Sequence, residues 1–310
     1  MKKIIVTIAA LVLAAGASYA QDMAEITALA QQGKEAFENG EKAEALNLFK
    51  QALELATAAG DAGAEIAANC KGAIPTITLS LAKESFNAQD YEAAAVKFQE
   101  AADIAEKYEA FDVADEALAL IPKALFGSAN KYLNNKEYAA AVEAYKKVIE
   151  VDAENGNAWL RLAMALNATG AADEAIEAFK TAATFGKEKD AMKQISNIYL
   201  KQAAAALKEK KYAAAIEAAE KVNEIAENPQ AYQIAGQASQ ISGKNADAIK
   251  YFEKYLEIAP TAKNAGQIAY TVGALYQTAK NNAKAKEYYA KATSDPKYGA
   301  EAQKMLNALK

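Results

Sequence analysis

The 310-residue chain has no histidine, one cysteine, one tryptophan and five prolines. Without imidazole there is no Ser-His-Asp or Cys-His nucleophile, no zinc site of the His-Glu-x-x-His kind and no histidine proton shuttle. Cys70 stands alone, so no intramolecular disulfide can form. A thiol with no histidine to act as its base reads as a small packing residue rather than a nucleophile. The sequence contains no G-x-x-x-x-G-K-[S/T] phosphate loop, no G-x-G-x-x-G and no EF-hand calcium loop. Arginine occurs once, at Arg161, and reads as a surface ion-pair partner. Carboxylates are plentiful, but they are interspersed with lysine in the manner of solvated helix faces. The net charge of −5 provides no basic stripe for nucleic acid. These absences predict a non-enzymatic chain with no cofactor and no metal; a paired-carboxylate hydrolase is the one enzymatic reading they leave open, with no specific residue in its favour.

The one long apolar run is at the start, "MKKIIVTIAALVLAAGASYAQD". Two lysines, an apolar stretch from Ile4 to about Ala17 and the small residues Ser18 and Ala20 have the three-zone form of a secretory leader. The expectation is a signal peptide over 1–20 and a mature chain from Gln21; an uncleaved N-terminal anchor is the alternative. The leader holds two lysines and no acid, so its removal takes the charge from −5 to −7. No other segment approaches the ~20 apolar residues of a membrane span. Export to a bacterial periplasm, or secretion, follows as an expectation; a secreted eukaryotic protein is the other reading.

What the chain has in abundance is alanine, glutamate, lysine and leucine, which predicts an all-helical protein. It also repeats. An anchor alanine recurs at Ala45, Ala94, Ala141, Ala175, Ala215, Ala248 and Ala285. Twelve residues before each lies a small residue: Gly33, Ala82, Ala129, Ala163, Ala203, Gly236 and Gly273. Four residues after each come Phe49, Phe98, Tyr145, Phe179, Ala219, Phe252 and Tyr289. Aromatics make up 8% of the chain yet fill all but one of these last positions, so the pattern is not compositional chance. It predicts helical hairpins in which the small residue admits the second helix and the aromatic fills space between neighbouring hairpins. Gly40, Gly170 and Gly243 stand where the first helix of a hairpin ends.

This pattern resembles the tetratricopeptide repeat, most closely in "NAWLRLAMALNATGAADEAIEAFKTA", where Trp159, Leu162, Ala163, Ala175, Phe179 and Ala182 occupy the family's signature sites. "QAYQIAGQASQISGKNADAIKYFEKYLEIAP" follows, with the family's proline at Pro260. The resemblance implies an all-α, right-handed superhelical solenoid of about seven hairpins. Long repeats would occupy 21–155 and regular repeats 156–295, with a capping helix over 296–310 begun by Asp295 and Pro296. Pro75 and Pro122 each precede their anchors by nineteen residues, in units longer than the family period. They predict an extra short helix near 61–72 and near 110–120, with a kinked long helix as the alternative.

In this family the first helix of each hairpin lines a concave wall. The resemblance therefore assigns Asn130, Asn157, Met164, Asn167, Asn197, Gln230, Gln233, Gln237, Gln240, Gln267, Tyr270 and Gln277 to a groove. Gln230, Gln233, Gln237 and Gln240 fall on one narrow helical face, whichever neighbour they meet. In the first two units the same offsets give Thr27, Ala30, Lys34 and Phe37, then Thr76, Leu79, Lys83 and Phe86. Neutral amides offer both a donor and an acceptor, which suits a peptide backbone or a sugar. The expected function is a non-enzymatic protein-interaction scaffold, with a place in an envelope complex. A carbohydrate-binding module, for which Tyr270 would supply the aromatic, is the alternative. The plain alternative to both is a solvated helix face.

Overall fold

The structure is a computed structural model that describes residues 22–309; the leader and its cleavage point lie outside the described residues. The described residues are all-helical, as the composition predicts. A first helix, α1, covers 22–38. It is followed by α2 (Lys42–Ala58), α3 (Ala64–Asn87), α4 (Tyr91–Lys107), α5 (Phe111–Asn134), α6 (Tyr138–Val151) and α7 (Gly156–Thr169). Then come α8 (Ala172–Ala182), α9 (Glu188–Lys208), α10 (Tyr212–Ile225), α11 (Pro229–Ile241), α12 (Asn245–Ile258), α13 (Ala265–Thr278), α14 (Asn282–Ala292) and α15 (Gly299–Ala308). The chain forms two compact units that divide between Thr169 and Gly170. Within each, consecutive helices pack as hairpins stacked in chain order, the arrangement of an α-solenoid.

The repeat register is a packing register. All seven anchor alanines are completely buried. In three hairpins the aromatic four residues later lies over the glycine of its own hairpin. A Cβ built on Gly33 would stand 3.2 Å from the Phe49 ring, one on Gly236 2.5 Å from Phe252, and one on Gly273 2.8 Å from Tyr289. The ring thus occupies the room the missing methyl leaves, rather than only the gap between neighbouring hairpins. The turn before each anchor uses one left-handed residue, always five before it: Gly40, Gln89, Lys136, Gly170, Lys210, Gly243 and Lys280. At the first turn Gly40 N–H donates to the Phe37 carbonyl and Glu41 N–H to that of Ala36, the paired bonds that close a helix end.

The two long units differ from the expectation of extra short helices: α3 and α5 each run unbroken through Pro75 and Pro122. Each helix serves two neighbours. Ala67, Cys70, Ile74 and Ile77 of α3 join the core with α2, while Leu79 and Ala82 join the core with α4. Burying one large aliphatic side chain contributes ~1.5–3 kcal/mol, so in α3 Ile74, Ile77 and Leu79 together outweigh the ~3 kcal/mol cost of a mid-helix proline. Forty-seven residues on, Ala117 and Ile121 of α5 repeat the positions of Cys70 and Ile74. Cys70 and Ala117 are both fully buried, so the cysteine fills a site its duplicate gives to alanine. Burial pushes the Cys70 thiol pKa up, against nucleophilic use.

The capping helix starts later than the predicted 296. The Asp295 carboxylate accepts the N–H groups of Lys297 and Tyr298, which fixes a turn, and α15 begins only at Gly299.

Candidate functional site

The four glutamines of α11 lie opposite Ala231, Ile234, Ala235 and Ala238, all buried. Asn228 caps this helix by accepting the Ala231 N–H, and Pro229 occupies its first turn. Gln230 and Gln240 are exposed, and Gln233 and Gln237 are half-buried. Among the described residues Gln230, Gln237 and Gln240 make no side-chain hydrogen bond, whereas Gln233 Oε1 accepts from Asn264 Nδ2 at 3.0 Å. On α13, Gln267 is exposed, and Tyr270 and Gln277 are half-buried. Gln277 Oε1 accepts the Tyr289 phenol at 2.7 Å. Asn197 of α9 is exposed.

In the first unit, Asn157, Met164 and Asn167 are all exposed on α7. Asn130 of α5 is half-buried, and its Oδ1 accepts the Tyr145 phenol at 2.6 Å. The predicted set therefore divides into free amides and amides held by the protein's own phenols or by Asn264. Asn264 was missed by sequence reasoning. It stands just before α13 but does not cap it; its Oδ1 instead takes the Tyr255 phenol. The signal for Tyr145 and Tyr289 was present, since tyrosine rather than phenylalanine in the buried slot requires a partner for its hydroxyl.

Other candidates are already engaged by neighbours within the chain. Lys83 is ion-paired with Glu116 at 2.6 Å. Phe86 packs edge-on against Tyr91, with ring centroids 5.3 Å apart. Tyr270 stacks on Tyr298 and leans on Tyr289, both centroids 5.5 Å away, so much of its ring is already covered. Arg161 makes no ion pair among the described residues. Its guanidinium lies 5.8 Å from the centre of the Phe126 ring, and its charge lowers the Tyr145 pKa. Burial is the larger influence there, and the Tyr145 phenol is pushed up to about 12.

A cleft of about 890 Å³ lies in the second unit, with Glu253, Lys284, Tyr288 and Lys291 in its walls. Several of its charges are already paired. Glu253 takes the Tyr276 and Tyr288 phenols at 2.7 and 2.9 Å. Glu287, flanking it, takes both lysines at 2.8 and 2.9 Å. Those lysines hold the Glu287 carboxyl down at about 2. Among the described residues, no cluster of three or more His, Cys, Asp or Glu side chains is placed to hold a metal. No helix of the described residues is long and apolar enough to cross a membrane.

Models of the tetratricopeptide repeat match residues 126–190 and 229–261. No curated protein gives a significant match. Solved structures that resemble the chain include a MamA protein, 21% identical over 59% of this chain and 96% of that one, with a TM-score of 0.36. YrrB, described as a TPR protein with an unusual peptide-binding site, is 20% identical over 58% and 91%, at 0.33. The TPR domain of P58(IPK) is 16% identical over 92% and 97%, at 0.28. The chain carries tetratricopeptide repeats in both of its units.

Proposed function

We propose that this chain is a non-enzymatic scaffold that binds an extended protein segment along the amide-bearing faces of its first helices. The observation that carries the reading is the α11 stripe. Four amides share the face away from the core, and three of them have no internal hydrogen-bond partner. Peptide groups match such amides, and each net hydrogen bond contributes only about 0.5–1.5 kcal/mol, so affinity requires a row of them. The repeats support the reading, because tetratricopeptide units serve as interaction surfaces and supply no catalytic group of their own. The three-zone leader supports export, which would put the partner in the cell envelope or outside the cell.

The carbohydrate alternative is weaker, because the aromatic it relies on, Tyr270, is already stacked on Tyr298. A pull-down from envelope extract tests the reading. The mature chain should recover a discrete protein that a Gln237→Ala, Gln240→Ala double variant loses. Equal recovery by both would remove the α11 face from the function.

A further inference from the structure

Two amides of the second unit are fixed in direction. Gln277 Oε1 is taken by the Tyr289 phenol, and Gln233 Oε1 by Asn264, whose own oxygen is taken by the Tyr255 phenol. Tyr255 and Tyr289 are buried, and burial raises both pKa values, so each phenol keeps a proton, which it donates to the amide oxygen. An amide carries its acceptor and its donors at opposite ends. Once the oxygen is held inward, the NH2 is the end left for a ligand.

We propose that the amide face of the second unit is polarised in this way. Gln233 and Gln277 present N–H donors, and at these two positions the face recognises an extended segment through its backbone carbonyl oxygens rather than its N–H groups. This rests on the peptide-binding reading above and adds its chemical sense. Tyr289, Tyr255 and Asn264 act as positioning residues, touching no ligand themselves. The contrast lies within the same unit. Where the buried slot holds Phe252, which has no hydroxyl, Gln237 and Gln240 stay unheld and are free to turn either end outward. The first unit repeats the device independently, with Tyr145 holding the oxygen of Asn130.

The test is side-chain amide NMR of the full mature chain, titrated with two probes. One is a short oligoproline acetylated at its N-terminus and blocked as the dimethylamide at its C-terminus, which offers carbonyls and no N–H. The other is methylguanidinium, which offers N–H alone. The expected result is that Gln233 and Gln277 respond to the oligoproline and not to methylguanidinium, while Gln237 responds to both. In Tyr289→Phe, the preference of Gln277 for the oligoproline should fall by about fivefold, the worth of one hydrogen bond. Gln233 should keep its preference, which shows that the variant is folded. If Gln237 responds but Gln233 and Gln277 take both probes equally, or if Tyr289→Phe leaves the preference unchanged, the polarity is overturned and the peptide-binding reading stands. If none of the three amides responds to the oligoproline, both are overturned.

Discussion

Phe252 lies so close to Gly236 that a methyl group there would meet the ring at 2.5 Å. Gly236→Ala should therefore cost about 1–3 kcal/mol, the usual range for overpacking a full core; an unchanged midpoint in urea would contradict the contact. Tyr145 permits a second test. Its pKa is raised above the unfolded value of ~10 to about 12, so the folded state holds the proton more tightly. Its contribution is complete below pH ~10 and is lost as pH rises toward 12. Tyr145→Phe should lose less stability than the parent chain across that window, measured by denaturation at stepped pH. At this scale the sequence was informative about which positions are small, aromatic or polar, because periodicity reports the face. It was silent about what each polar end touches. Asn264 is remote from Gln233 in sequence, and only the packed hairpins bring them together.

Four of the left-handed turn positions carry side chains: Gln89, Lys136, Lys210 and Lys280. An L-residue in that conformation costs roughly 1–2 kcal/mol, and glycine avoids most of the cost while losing some chain entropy. Lys136→Gly and Lys280→Gly should each stabilise by up to about 1 kcal/mol, and Gly243→Ala should destabilise by a similar amount, read as shifts in thermal midpoint. Three of these turns were legible because glycine marks them. The others were legible only through the register, since the left-handed residue keeps its place before the anchor whatever its type. Helix ends next to proline were harder to read. Pro75 and Pro122 are good local reasons to start a helix, but side chains buried on both sides of each proline carry α3 and α5 straight through. Local propensity was outweighed by a tertiary core that no window of sequence displays.

With the helices divided between two compact units, and hairpins within each unit touching only their neighbours, the chain is predicted to unfold by parts. Trp159, the only tryptophan, belongs to the first unit and donates its indole N–H to the Ala153 carbonyl at 2.8 Å. Gly236→Ala, in the second unit, should move the helical signal in urea more than it moves the fluorescence of Trp159. Coincident shifts would show that the chain unfolds as one. The proposed function has the amide faces bind a protein segment. It is tested most directly by a photo-reactive residue at Gln237 in cells, with a second at the exposed Lys250 of α12 as control, followed by mass spectrometry of the adducts. A discrete protein adduct is expected at Gln237 and none at Lys250. Silence at both positions, or the same adducts at both, would contradict it and leave the glutamines as a solvated face.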